Sequence, residues 1–307
     1  MNGTHEELLE ELRPTAFAIS YRMLGSVAEA EDVVQEALLR LHDALESGER
    51  IESPRAYLAT VATRLSIDQL RSARVRRETY VGEWLPEPLV SDSETDPARQ
   101  AELADSLSLA FLVLLESLSP EQRAALLLHD VFDYGYAEIA EIVGKSEDNA
   151  RQLAARARRH VEERKPRFEA SREQRDELAR RFFAAVREGD VGALESLLAK
   201  DVVLQGDGGG KAPALARALH GSRRVARTLG AWIRVGARIA GAELREVEVN
   251  GQPGALVLTG DGKLISVWAL DIADGQIQGI RSIVNPEKLR HVGPVADAWA
   301  LLRGRER

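Results

Sequence analysis

The residues of this chain best suited to chemistry are its arginines, and they are clustered. Arg71, Arg74, Arg76 and Arg77 close one long apolar-periodic stretch, while Arg151, Arg156, Arg158, Arg159 and Arg164, with Lys165, fill another. Guanidinium groups at helical spacing can neutralise phosphates and offer paired donors to guanine edges in a major groove. A solvated helix end would carry the same cations, since they complement the helix dipole there. An acidic counterpart exists in Glu29, Glu31, Asp32 and Glu36, opposite an apolar stripe. Such a face is commonly just solvated, but beside two basic helices it also suits a basic protein partner.

Acid–base chemistry has weaker credentials. Asp207, His220, Asp261 and Asp271 could serve it, yet no spacing forces them together, so no catalytic residue is assigned. The absence of cysteine excludes disulfides, thiol catalysis and cysteine-bound metal. No metal ligand set and no cofactor are expected. Gly208-Gly209-Gly210-Lys211 lacks the spacing of a phosphate-binding loop and reads either as a flexible loop or as a contact loop.

The net charge of −8 argues against nucleic acid only if charge is averaged over 307 residues. Where the cations sit decides the matter. With 44% hydrophobic and 29% charged residues the chain has material for two or three packed domains. No apolar run nears the roughly 18 residues that span a bilayer, and the acidic start (Glu6, Glu7, Glu10, Glu11) is unlike a signal peptide. A cytoplasmic protein with no membrane partner is expected.

Two helical sections position the arginines. In residues 5–82, Ser26-x-x-Glu29 is a capping box ahead of Ala30, Val33, Val34, Ala37, Leu38 and Leu41 at helical spacing. Ser53-Pro54 starts the helix that carries Tyr57, Leu58, Val61, Leu65 and Leu70 into the first basic run. Residues 83–102 form an acidic, extended linker, because Pro86 and Pro88 break any helix and Asp92, Glu94 and Asp96 follow. In residues 103–168, Ser119-Pro120-Glu121-Gln122 repeats the cap-then-proline pattern. Tyr136 to Val143 is a short helix, Gly144-Lys145 a turn, and Ser146 caps the second basic helix. That order is a helix-turn-helix.

The remainder is built differently. Residues 172–292 begin with helices near 172–188 and 190–199, a strand at Val202-Val203-Leu204 and a helix at 221–232. Strands follow at 243–249, 254–259, 263–271 and 276–284, with turns at Asn250-Gly251, Asp261-Gly262 and Asp274-Gly275. This is an α+β domain, trailed by a tail at 293–307.

Several segments resemble a known family. Ala30-Glu31-Asp32-Val33-Val34-Gln35-Glu36-Ala37 resembles the region-2 helix of sigma-70-type factors, and Tyr57-Leu58-Ala59-Thr60-Val61-Ala62-Thr63-Arg64-Leu65-Ser66-Ile67-Asp68 the helix after it. Leu118-Ser119-Pro120-Glu121-Gln122-Arg123 and Tyr136-Ala137-Glu138-Ile139-Ala140 resemble region 4. Regions 1.1 and 3 have no counterpart, as in the extracytoplasmic-function class. Trp84-Leu85-Pro86-Glu87-Pro88, Asp207-Gly208-Gly209-Gly210-Lys211 and Asn285-Pro286-Glu287-Lys288-Leu289 resemble markers of the SigJ type, which has a fused SnoaL-like domain.

The resemblance implies two all-α modules, sigma regions 2 and 4, followed by a conical SnoaL or nuclear-transport-factor-like α+β domain. It implies that core RNA polymerase and promoter DNA are the partners. Asp32 and Glu36 would meet the polymerase clamp; Thr63, Arg64, Asp68, Arg71 and Arg74 the melted −10 element; and Arg151, Gln152 and Arg156 the −35 bases, with Arg158 and Arg159 on phosphates. The linker would thread the polymerase active-site channel. The C-terminal domain would be a built-in regulator, with no separate anti-sigma factor. Its contacts would come from Asp207, Gly208, Gly209, Gly210 and Lys211 together with Asn285, Pro286, Lys288 and Leu289, touching either the region-2 module or the linker at Trp84 and Pro86. Two other readings compete: a one-component helix-turn-helix regulator that senses a small molecule in its C-terminal pocket, and an enzyme whose helical half is only structural. The acidic helix at 30–37 discriminates, because a free-standing repressor has no need of a polymerase-docking face.

Overall fold

Capping chemistry sets the helix starts. The structure, a computed structural model, describes residues 2–91, 107–163 and 171–303, and within these the side chains of all but residues 2–4 and 73–78. Helix α1 (Asn2–Leu24) is followed by α2 (Val27–Glu46), where the Ser26 side chain accepts the Glu29 N–H at 3.2 Å. Helix α3 (Pro54–Glu78) starts behind Ser53, whose hydroxyl accepts the Ala56 N–H at 3.2 Å. Ala30, Val33, Val34, Ala37 and Leu41 bury the predicted stripe of α2.

A short helix α4 (Leu109–Leu115) leads to α5 (Pro120–Asp130), which opens with the full Ser119/Gln122 capping box. Then come α6 (Tyr136–Val143) and α7 (Glu147–Glu162). Gly144 turns between them at φ 65°, a left-handed conformation that costs other residues energy. Ala125, Leu128, Ile139, Ala140, Ile142, Ala150 and Ala154 form the shared core of these helices. The chain divides into two compact units, residues 1–79 with 114–165 and residues 80–113 with 166–307.

The second unit pairs helices with one mixed sheet. Helices α8 (Arg172–Glu188), α9 (Val191–Leu197) and α10 (Ser222–Gly236) accompany strands β1 (Val90–Ser91), β2 (Leu198–Asp207), β3 (Leu219–His220), β4 (Glu243–Val249), β5 (Gln252–Leu258), β6 (Leu264–Ala273) and β7 (Gln276–Ile283). The order is β1-β4-β5-β6-β7-β2-β3, with β2 and β7 parallel and the other pairs antiparallel. Register shifts at Leu198/Val203, Val257/Leu258 and Asp271/Ile272 bend the strands. Phe182, Phe183, Val225 and Leu229 from the helices pack on Leu204, Leu270 and Ile280 of the sheet. This is the expected α+β domain, with helices packed on one mixed sheet.

Its details depart from the sequence reading at the short elements. The helix near 190–199 stops at Leu197, and β2 takes over from Leu198. Strands β1 and β3, a 3-10 turn (Pro286–Lys288) and helix α11 (Ala298–Arg303) carry too few residues for a periodic signal. Asn250 and Gly251, at φ 52° and 73°, make the predicted tight hairpin turn, and so do Asp274 and Gly275 at 53° and 69°. Among the described residues no helix is long and apolar enough to cross a membrane.

Candidate functional site

The acidic face stands on α2. Asp32, Gln35, Glu36 and Leu39 are exposed, and Leu39 keeps 58% of its surface open. Glu36 accepts from Arg40 at 2.8 Å one turn later, and Glu31 pairs with Arg13. A single exposed apolar side chain among carboxylates is ordinary on a solvated helix as well.

On α3 the predicted residues separate by burial. Thr63 is fully buried, whereas Arg64, Asp68 and Arg71 are exposed. Arg64 donates to the main-chain carbonyls of Ile142 at 3.1 Å and Glu141 at 2.8 Å, the open carbonyl end of α6. A cation there complements the helix dipole. Arg71 bridges Asp68 at 3.2 Å and Glu121 at 2.6 Å. The side chain of Arg74 lies outside the described residues. So two of the arginines assigned to one DNA element are held by the helix-turn-helix module of the same unit, a pairing that sequence spacing could not reveal.

Helix α7 presents a divided surface. Ala150, Ala154, Ala157 and Val161 face inward, and Arg151, Gln152, Arg156 and Arg159 are exposed. Arg151 donates to Glu147 at 2.8 Å and lies 5.1 Å from the Tyr136 ring centre. Arg158 is different: it forms a two-point pair with Asp130, its Nε at 3.0 Å, and that pair holds its guanidinium above the usual arginine range. Arg158 thus braces α7 against α5, while Arg156 and Arg159 stand open.

The second unit closes around residues 80–91. Asp207, fully buried at the end of β2, is the hub. Its Oδ1 accepts from Tyr80 Oη at 2.5 Å; its Oδ2 accepts from the Leu85 N–H at 2.8 Å and from Lys288 Nζ at 2.7 Å. Lys288 also donates to the Leu85 carbonyl and sits 4.1 Å from the Trp84 ring centre and 5.0 Å from that of Tyr80. Asn285 donates to Tyr80 Oη at 2.9 Å. Burial and the Asp207 carboxylate both raise the Tyr80 phenol, which keeps it a neutral donor.

The linker is gripped further along as well. His291 Nε2 lies 2.7 Å from the Pro88 carbonyl, Asn250 Oδ1 accepts the Leu89 N–H at 2.9 Å, and Val90–Ser91 pairs with β4 as an added edge strand. Leu85, Pro86, Glu87 and Pro88 are buried. The glycine loop sits on the same clasp. A Cβ at Gly209 (φ 56°) would lie 2.4 Å from Asn285 Nδ2 and 2.9 Å from Tyr80 Oη, and one at Gly210 would touch Val81 at 3.2 Å. Gly208 accepts the Lys211 N–H at 2.9 Å to close the turn, and Lys211 pairs with Glu287. Pro286 opens the 3-10 turn that carries Lys288, and Leu289 is buried. The glycine loop thus meets Tyr80 and Val81, at the end of the section read as 5–82, and Asp207 and Lys288 meet the linker at Trp84 and Leu85. Sequence reasoning missed Tyr80, Asn250 and His291. Only the asparagine was marked, and then for its turn.

The acid–base candidates do not converge. Asp207 is committed to the clasp, His220 is exposed on β3, Asp261 bonds Thr259 and Lys263 within its own turn, and Asp271 pairs with Arg281. Among the described residues no cluster of three histidine, aspartate or glutamate side chains could hold a metal.

Comparison with known proteins identifies the two helical modules. Residues 8–76 match the family Sigma-70 region 2, and residues 108–161 match Sigma-70, region 4. The ECF RNA polymerase sigma factor SigJ of Mycobacterium tuberculosis is 41% identical over 307 residues, covering 97% of each chain. The probable ECF RNA polymerase sigma factor SigI of the same species is 33% identical over 273 residues, 88% of this chain and 90% of that one. The crystal structure of Mycobacterium tuberculosis SigJ matches with a TM-score of 0.76 at 36% identity, covering 94% of this chain and 99% of that chain. With both sigma modules matched, and a relative 41% identical over 97% of each chain, the chain belongs to the extracytoplasmic-function RNA polymerase sigma factors of the sigma-70 family.

Proposed function

We propose that the chain is a cytoplasmic alternative sigma factor that binds core RNA polymerase, directs it to a promoter, and is restrained by its own C-terminal domain. Asp32, Glu36 and Leu39 dock on the polymerase; such rim charges govern encounter and register. Arg64, Asp68, Arg71 and Arg74 meet the melted −10 strand, where opening a base pair costs a few kcal/mol that a pocket for the extruded base offsets. Arg151, Gln152 and Arg156 read the −35 element, and Arg159 holds phosphate. The chain acts by binding and needs no catalytic group of its own.

The observation that carries the restraint is the Asp207–Lys288 clasp. It buries the linker segment whose counterpart in the family enters the polymerase channel, and a strand buried in one protein is not available to another. The clasped chain is therefore the restrained state. Run-off transcription with core polymerase tests this. The unmodified chain supports a promoter-specific transcript, and Lys288→Met raises its yield severalfold while sedimentation still shows a polymerase complex. Failure to associate with core polymerase at low salt overturns the sigma reading. An unchanged transcript yield from Lys288→Met overturns the restraint.

A further inference from the structure

The C-terminal domain holds a half-open pocket of about 190 Å³ between its sheet, helix α10 and helix α11. Among the described residues, its walls carry no ionisable side chain. Trp232 and Trp268, with ring centres 6.2 Å apart, and Ile239 and Val257 supply apolar surface, and Ser266 and Ser282 contribute the only side-chain hydroxyls. Leu301 and Leu302 of α11 cover one side.

Three observations define an occupant. A charged guest would lose its hydration with nothing to pair against, which costs several kcal/mol. An apolar cavity of about 150 Å³ is already large enough to stay dry and admit benzene. Two indole faces suit a flat ring. The cover is the six-residue helix α11.

The cavity also adjoins the clasp through covalent neighbours. Gly206 lines it, and Asp207 is the next residue. Gly206 pairs with Ser282 and Asp207 with Ile283 across β2 and β7, and the Val284 N–H donates to the Asp207 carbonyl at 2.8 Å. Lys288 and α11 lie on one connection, anchored between them by the Leu264–Val295 bridge. Packing in the cavity thus fixes the strand ends that aim the Asp207 carboxylate.

We propose that this cavity binds a small, uncharged, apolar molecule of single-ring size, and that its occupancy is transmitted through Gly206–Asp207 and Ser282–Val284 to the grip on the linker. The second half rests on the restraint proposed above; the first does not. The cavity is a sensor, and among the described residues no acid or base lines it to alter what it binds.

The full chain is titrated with toluene, p-xylene and benzoate while tryptophan fluorescence is followed. Amide hydrogen exchange over residues 80–91 is then measured at saturation. Toluene and p-xylene should bind saturably and benzoate at least tenfold more weakly. Ile239→Phe and Val257→Phe, two independent filling variants at partly exposed positions, should each weaken toluene binding about tenfold. At ten times the dissociation constant, an amide whose opening disrupts the cavity exchanges about tenfold more slowly, and Leu85 should show this. Binding of neither hydrocarbon, equal binding of benzoate, or unchanged binding in a folded filling variant overturns the cavity site. Saturable binding with unaltered Leu85 exchange overturns its link to the clasp. Each of these results leaves association with core polymerase unaffected, so a failure here is distinguishable from failure of the sigma reading.

Discussion

Lys288 Nζ lies 2.7 Å from Asp207 Oδ2, with the two side chains 8% and 0% exposed. Eighty-one positions separate them, and between them they hold both main-chain groups of Leu85. Removing one member of such a buried pair costs about 3–5 kcal/mol, because the other charge is left without compensation. Replacing both by neutral groups of similar shape costs far less. Lys288→Met and Asp207→Asn should each lower the urea midpoint sharply, and the double variant should recover most of the loss. Additive losses would show that the residues act separately.

Gly209 tests the same clasp without touching a charge. At φ 56°, with the position a Cβ would occupy only 2.4 Å from Asn285 Nδ2, alanine must both strain the backbone and push Asn285 off Tyr80. The left-handed conformation alone costs about 1–2 kcal/mol. Gly209→Ala is expected to speed hydrogen exchange of the Leu85 amide and lower thermal stability, whereas Gly262→Ala, at φ 77° with open space around it, should show only the backbone strain.

How far the sequence reveals these relationships depends on the distance over which a signal acts. The caps at Ser26, Ser119 and Ser146 and the turns at Asn250-Gly251 and Asp274-Gly275 are local chemistry, and each appears in the structure as read. The linker motif and the two C-terminal motifs were legible by resemblance, although no spacing shows that Asp207 accepts from Tyr80 and Leu85 at once. Arg123 illustrates the limit. It directly follows the capped Ser119-Pro120-Glu121-Gln122 turn, and no local signal marks it as buried. Yet it is 2% exposed and donates to the carbonyls of Met23 and Leu115, each at 2.6 Å, and to Glu116 at 2.9 Å. Only the fold brings those carbonyl ends together.

Tyr80 makes the clasp sensitive to alkali. Burial and Asp207 raise its phenol above the usual value of 10.0. A group whose folded pKa is raised contributes stability that is present in full below the unfolded value and lost as pH climbs above it. Unfolding free energy should therefore be insensitive to this group from pH 7 to 9 and fall progressively above about pH 10. Tyr80→Phe should flatten that limb of the curve while lowering stability at neutral pH. An identical alkaline limb in the variant would assign the loss to other groups.

Arg156 and Arg158 should part company on promoter DNA. Arg156 is exposed on α7 beside Gln152, while Arg158 is turned back onto Asp130. Loss of an arginine that reads a base costs about 1–3 kcal/mol and relaxes preference at one position. Loss of a phosphate contact weakens all sequences alike and reduces the salt slope by about one. Holoenzyme carrying Arg156→Ala should therefore lose roughly tenfold or more in affinity for its own −35 sequence and little for a scrambled one. Arg158→Ala should instead leave the specificity ratio intact and lower the melting temperature. If Arg156→Ala weakens binding to both sequences equally, α7 holds the DNA backbone at that residue and the base reading falls to Arg151 and Gln152.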